Sequence, residues 1–266
     1  TPLSKSYGEH SYTSRRMVTP LVVKSSKICC PFITSTLKGD RKPALVQAQK
    51  SVDNYVDASR NCRSYPQAAQ SARGGYPKSM SKALIIVDVQ NDFCPGGSLG
   101  TERGDEVARG INELLQSEHD YDVIVATQDW HIDPGTHFSE QPDFVDTWPA
   151  HCVADSEGAR MHPDVNVSKI REYFRKGEYT AAYSGFEGHA ASDGSTLLAQ
   201  WLNDAAVTEV HVVGIATDHC VLATSKDALK EGFAVSVIAE LCSPVDKNRG
   251  ESALIELEEA GAHIIR

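Results

Sequence analysis

From Lys82 to the C-terminus, short runs rich in Val, Ile and Ala alternate with stretches whose apolar residues recur every three or four positions. No other feature constrains the fold as much. The runs Ala83–Asp88, Asp122–Thr127, Ser168–Phe174, Glu209–Gly214, Phe233–Ala239 and Ala262–Ile265 read as strands. Most lack a polar alternate, as parallel strands covered on both faces must. Between them, Val107, Ile111, Leu114 and Leu115 make one helical face, and Leu197, Leu198, Trp201, Leu202 and Ala205 a second. Val221, Leu222, Ser225, Ala228 and Leu229 line a third helix closed by Gly232, and Leu254, Leu257 and Ala260 a fourth closed by Gly261. The order predicts an α/β fold: a three-layer α/β/α arrangement with a six-stranded, mostly parallel sheet.

In open sheets of this kind, ligands bind beyond the carboxyl ends of the strands. Asp88 closes the first run, Lys176 follows the third, and Cys220 follows the fourth through Gly214-Ile215-Ala216-Thr217-Asp218-His219. Singly, each has an ordinary reading: a capping Asp, a solvated Lys beside Gly177, a small buried Cys at a helix start. Their coincidence at three strand ends points to chemistry. Cys220 would lie in a helix's first turn, where exposed N–H groups favour a thiolate nucleophile. The N–H groups of Ala216 and Cys220 could receive an oxyanion. Asp88 could accept the thiol proton and return it to a leaving amine, with the Lys176 ammonium holding both anions.

A second constellation follows the second strand, where Asp129, His131, His137 and His151 read D-x-H-x5-H-x13-H. Asp129 and His131, two positions apart in extended chain, project to one side, and Pro134-Gly135 can turn His137 back toward them. Three imidazoles and a carboxylate suit Zn²⁺, Fe²⁺ or Mn²⁺; solvated loop histidines are the plain alternative. Phe93, Trp130, Trp148 and Tyr183 lie in the same loops, and one or more could wall an aromatic pocket; ordinary core or rim packing is the plain alternative. His219 is a candidate supporting group beside Cys220, whereas His162, His189, His211 and His263 show no clustered partners in the sequence.

Charge divides the chain. Residues 1–79 hold 13 bases against 4 acids, and residues 80–266 hold 13 bases against 32 acids, giving the net charge of −10. The acidic larger part argues against a nucleic-acid partner, since phosphates would be repelled, and favours a small molecule. Seven cysteines without a CxxC pair argue against a disulfide framework and for a reducing, cytoplasmic setting. No apolar run reaches the ~18–20 residues a bilayer demands, so no membrane partner is expected. The basic, Ser-rich residues 1–79 lack apolar periodicity and are expected to be a disordered extension to a domain spanning 80–266. An organelle transit peptide and upstream translation ahead of an initiating Met80 are further readings of that segment. The oligomeric state, monomer or homo-oligomer, is left open.

Taken together, Ile85-Ile86-Val87-Asp88-Val89-Gln90-Asn91-Asp92-Phe93, His131-Ile132-Asp133-Pro134-Gly135, Lys176-Gly177 with Tyr183-Ser184-Gly185-Phe186, and Gly214-Ile215-Ala216-Thr217-Asp218-His219-Cys220-Val221 resemble the nicotinamidase/pyrazinamidase branch of the isochorismatase-like cysteine hydrolases. The resemblance runs from about Lys82 to the end. It implies hydrolysis of nicotinamide to nicotinate and ammonia through a cysteine thioester, a step of NAD salvage, with pyrazinamide as an alternative substrate. It also implies a catalytic triad of Asp88, Lys176 and Cys220. A divalent metal ion on Asp129, His131, His137 and His151 would hold the ring nitrogen. A cis peptide at Ile215-Ala216 is implied as well, with Phe93 and Trp148 flanking the ring. Competing readings are a related hydrolase acting on isochorismate or an N-carbamoyl amide, and an inactive metal-binding module that keeps the fold.

Overall fold

A computed structural model describes residues 81–266; the expectations for residues 1–79 and Met80 lie outside the described residues. The elements are β1 (Ser81–Val87), α1 (Gly104–Gln116), β2 (Val123–Asp129), β3 (Glu172–Lys176), β4 (His189–Ala190) and α2 (Leu198–Asp204), followed by β5 (Val207–Ile215), α3 (Leu222–Lys230), β6 (Ala234–Ser243), α4 (Lys247–Glu259) and β7 (His263–Ile265). They build one sheet in the order β4-β3-β2-β1-β5-β6-β7. Every neighbouring pair is parallel except β3 with β4.

The three-layer expectation holds, with two corrections. The sheet has seven strands rather than six. The extra one, β4, is two residues long with an exposed His189, too short to carry a period. The third strand also starts later than expected. Val167–Lys169 form a short 3₁₀ turn capped by the Asn166 side chain, so the strand runs Glu172–Lys176 and buries Lys176. The charged pair Arg175-Lys176 reads as lying beyond the strand when burial is invisible.

Successive strand residues point to opposite faces. Ala83, Ile85 and Val87 of β1 pack with Leu198 and Leu202 of α2, Ala228 of α3 and Leu254 and Leu257 of α4. Leu84 and Ile86 face Val107, Ala108, Ile111 and Leu115 of α1 on the other side. Burial of β1 on both faces explains why its sequence shows no polar alternate.

The close approach of β1 and β5 depends on one residue. Gly214 pairs with Val87 in register. Its φ is +123°, and a Cβ there would sit 2.1 Å from the Val87 carbonyl oxygen. Gly214→Ala is therefore expected to cost about 2–3 kcal/mol of stability, combining backbone strain with a forced shift of β1. Urea unfolding monitored by circular dichroism checks this; an unchanged midpoint would contradict it.

Candidate active site

At the carboxyl end of the central strands, Asp88 follows β1, Asp129 closes β2, Lys176 closes β3, and Cys220 follows β5. All four are buried. Lys176 Nζ lies 2.9 Å from Asp88 Oδ2 and 3.7 Å from Cys220 Sγ, and it donates a short hydrogen bond to Asp129 Oδ1. One ammonium thus serves two carboxylates and the thiol. Asp88 adopts φ +48°, in the left-handed region that disfavours a side chain, at the point where β1 releases it toward the lysine. Thr127 donates to its second oxygen, Oδ1, at 2.6 Å.

Burial sets the protonation states. It pushes the Asp88 carboxyl above the ordinary carboxylate range, aided by Asp129 and opposed by Lys176 and Thr127. For Asp129, burial works against the charge, but Lys176 and the neighbouring histidines outweigh it and hold the carboxyl down. Lys176 is likewise penalised by burial, and the surrounding anions more than restore its charge.

Cys220 departs from expectation. It lies in a π-helical turn, Thr217–Val221, just ahead of α3 rather than in the first turn of an α-helix. Burial pushes its thiol well above the normal range; Lys176 pulls it down, and Asp88 and Asp129 push it up again. The resting cysteine is therefore a neutral thiol, and a carboxylate that can take its proton is required at hand.

Beside this group stands the second constellation. His131, His137 and His151 are buried and present ligand atoms within 4.8 Å of one another. Asp129 Oδ2 lies 3.7 Å from His131 Nε2 and 3.8 Å from His151 Nε2. Ring hydrogens are already engaged on the far side. His131 Nδ1 bonds the Gly177 carbonyl at 2.7 Å and His151 Nδ1 the Pro149 carbonyl at 2.8 Å, which leaves each Nε2 as a lone-pair donor. His131 Nε2 is buried with no hydrogen-bond partner. Burial and neighbouring cations lower the His137 pKa to about 4 and lower that of His151 as well, keeping both imidazoles neutral. Neutral, converging nitrogens with one orphaned buried lone pair and a carboxylate fit a divalent metal.

Cys220 of the first group and Asp129, His137 and His151 of the second line one cavity of about 380 Å³, together with Phe93, Trp148, Tyr183, Ala216 and His219. Trp148 Nε1 donates to Tyr183 Oη at 3.1 Å, and the His219 ring stacks on Tyr183 and meets Trp148 edge-on. Asp88, Lys176 and His131 are buried outside the cavity lining, Ile215 packs in the core, and Trp130 stacks under the Arg175 guanidinium at 3.7 Å instead of walling the cavity. The Ile215-Ala216 peptide is cis.

Sequence reasoning missed three supporting residues. Gln90 is buried; its amide donates to the Asp129 carbonyl at 2.8 Å and accepts from the Asp129 N–H at 2.9 Å, fixing the end of β2. Thr127 orients Asp88. Asp218 accepts from the N–H groups of Val245 and Asp246, tying the Cys220 turn to the start of α4. Gln90 and Asp218 stood inside the strings that carry the resemblance, so their position was a signal, but only pairing across strands reveals their work.

The Isochorismatase domain family matches residues 82–266. The chain belongs to that family. Among isochorismatase-family relatives, the Mycobacterium tuberculosis nicotinamidase/pyrazinamidase is 48% identical over 184 residues, covering 69% of this chain and 98% of that protein. A crystal structure of PnC1 from L. infantum in complex with nicotinate superposes with a TM-score of 0.62 at 34% identity, covering 70% of this chain and 93% of that one. The pyrazinamidase of Pyrococcus horikoshii in complex with zinc gives 0.60 at 35% identity, covering 70% and 99%.

Proposed function

We propose that this isochorismatase-family chain is a nicotinamidase, hydrolysing nicotinamide to nicotinate and ammonia for NAD salvage and accepting pyrazinamide as well. One observation carries the reading: a buried thiol, with an ammonium 3.7 Å away that pairs with a carboxylate, lines the same small cavity as Asp129, His137 and His151 of a metal-ready group. The names of the M. tuberculosis, L. infantum and P. horikoshii proteins support it. A hydrolase acting on isochorismate, which has no pyridine nitrogen, would leave the converging histidines without a task.

The chain's own groups account for the chemistry. Asp88 takes the proton from Cys220 Sγ, and sulfur attacks the carboxamide carbon. The N–H groups of Ala216 and Cys220 bind the oxyanion, and Lys176 holds the thiolate and carboxylate together. The carbon–nitrogen bond breaks as Asp88 returns the proton to the leaving ammonia. Water then gives a proton to Asp88 and adds to the thioester; the carbon–sulfur bond breaks, nicotinate leaves, and the thiol recovers its proton. Phe93 and Trp148 flank the ring, Tyr183 and Ile215 shape the pocket, and Asp129, His131, His137 and His151 would hold Fe²⁺, Zn²⁺ or Mn²⁺. When bound, the ion supplies a Lewis acid that takes up the pyridine nitrogen and orients the ring. No helix among the described residues is long and apolar enough to cross a membrane. The buried cysteines Cys94, Cys152, Cys220 and Cys242 are free, in keeping with a cytoplasmic enzyme.

Two results test this. Ammonia release from nicotinamide should be lost on chelator treatment and restored by added divalent metal; full activity in demonstrably metal-free protein would contradict the site. In addition, kcat/KM should fall as pH drops through the raised pKa of Asp88, since a protonated Asp88 cannot accept the thiol proton. This acid limb should lie above the ordinary carboxylate value of about 4. A rate that stays flat down to that value would remove Asp88 as the base.

A further inference from the structure

The histidine that looked isolated in the sequence is not isolated in space. His162, Cys94 and Asp105 present a ring nitrogen, a thiol sulfur and a carboxylate oxygen within 4.8 Å of one another. The three come from separate segments. Cys94 follows the turn Asn91–Phe93, Asp105 is the second residue of α1, and His162 is anchored by its N–H to the Val89 carbonyl at 2.8 Å. Their approach is built in: a Cβ on Gly104 would lie 2.7 Å from Cys94 Cα and 2.9 Å from its Sγ, so only glycine lets α1 start this close to the thiol.

We propose that Cys94, Asp105 and His162 form a second divalent-cation site, distinct from the histidine-rich one and suited to a borderline ion of the Zn²⁺ type. Thiolate, imidazole and carboxylate together select such an ion over Mg²⁺ or Ca²⁺, which prefer all-oxygen sites. Cys94 is 2% exposed, whereas the Asp105 side chain is 41% exposed, so the site has a dry sulfur and an open carboxylate through which an ion enters. Without an ion, His162 Nε2 faces Asp105 Oδ1 at 3.3 Å, and the Asp164 N–H points at Nδ1 from 3.3 Å.

Binding exchanges those contacts with balance. The Cys94 S–H proton leaves to solvent as the sulfur–metal bond forms. The imidazole proton moves from Nε2 to Nδ1, which gives up the Asp164 N–H and faces the Asp164 carboxylate, whose Oδ2 lies 4.0 Å away. An ion there would pin the start of the segment whose residues Gly97–Thr101 line the substrate cavity.

Co²⁺ is the probe, because a cysteine ligand gives a near-ultraviolet sulfur-to-metal charge-transfer band that histidines and carboxylates do not. The full chain carrying Cys220→Ala, which removes the nucleophilic thiol beside the histidine-rich group, is titrated with Co²⁺. The expected result is two equivalents bound and the band present, with Cys94→Ser on that background reducing binding to one equivalent and abolishing the band. His162→Gln, which keeps the thiol, should also lower binding to one equivalent. One equivalent without the band in the Cys220→Ala protein would overturn the proposal. So would a band that survives Cys94→Ser, which would assign it to another cysteine, or two equivalents retained in His162→Gln.

Discussion

Cys220→Ala is expected to lower nicotinamide turnover by about 10⁴-fold or more, the scale seen when a covalent nucleophile is removed from an otherwise intact site. The residual groups cannot replace it. Asp88 could still accept a proton and the Ala216 amide could still receive an oxyanion, but no atom would be placed to form the acyl bond. The fold should tolerate the change, because Cys220 contributes only a small buried side chain at the edge of the core. Metal content should also be unchanged, since the histidines and Asp129 take their positions from the Gly177 and Pro149 carbonyls and from Gln90. The measurement is steady-state ammonia release beside metal analysis and a nicotinamide binding titration. Turnover within tenfold of the parent would rule out the thioester route; loss of turnover together with loss of metal would mean that the substitution had disturbed the whole site.

Lys176→Met should produce the largest loss of stability, about 3–5 kcal/mol at neutral pH. The side chain is fully buried, and its Nζ is the shared counterion of Asp88 and Asp129. Methionine fills the volume but leaves two buried carboxylates facing one another, and both must then bind protons or remain charged without compensation. The pH dependence follows from the signs. In the parent, Asp129 has a depressed folded pKa, so its contribution is present above the unfolded value and fades as pH falls. In the variant, the carboxylates gain folded pKa values above their unfolded ones, so acidification relieves the penalty. The gap between the two proteins should narrow on the acid side, read by urea unfolding at several pH values. A variant as stable as the parent at neutral pH would show that the lysine charge is not needed to hold the carboxylates.

Much of this architecture was legible before any coordinates. The Val- and Ile-rich runs announced parallel strands because both faces of β1 and β2 are covered, and Asp88, Lys176 and Cys220 drew notice because open parallel sheets leave their strand ends to the ligand. The D-x-H spacing of Asp129 and His131 worked because alternate residues of extended chain share a side. Other features had no local signature. β4 is too short to show a period, and β3 ends on a buried lysine that reads as lying outside the strand. The partners of Gln90 lie 39 and 69 residues away, and those of His162 on two other segments.

What the sequence determined by itself was the order of strands and helices apart from β4, the carboxyl end of the sheet as the place for chemistry, and the inventory of thiol, ammonium, carboxylate and imidazole found there. Only the tertiary structure decided which atoms meet and in what charge state. Cys220 shows the difference: its place near a helix start favoured an acidic thiol, but complete burial beside two carboxylates and one ammonium makes it a neutral one. Periodicity is a property of neighbours along the chain, so it survives in the sequence. Desolvation and Coulomb energy depend on everything packed around a group, and they exist only once the strands have brought distant residues together.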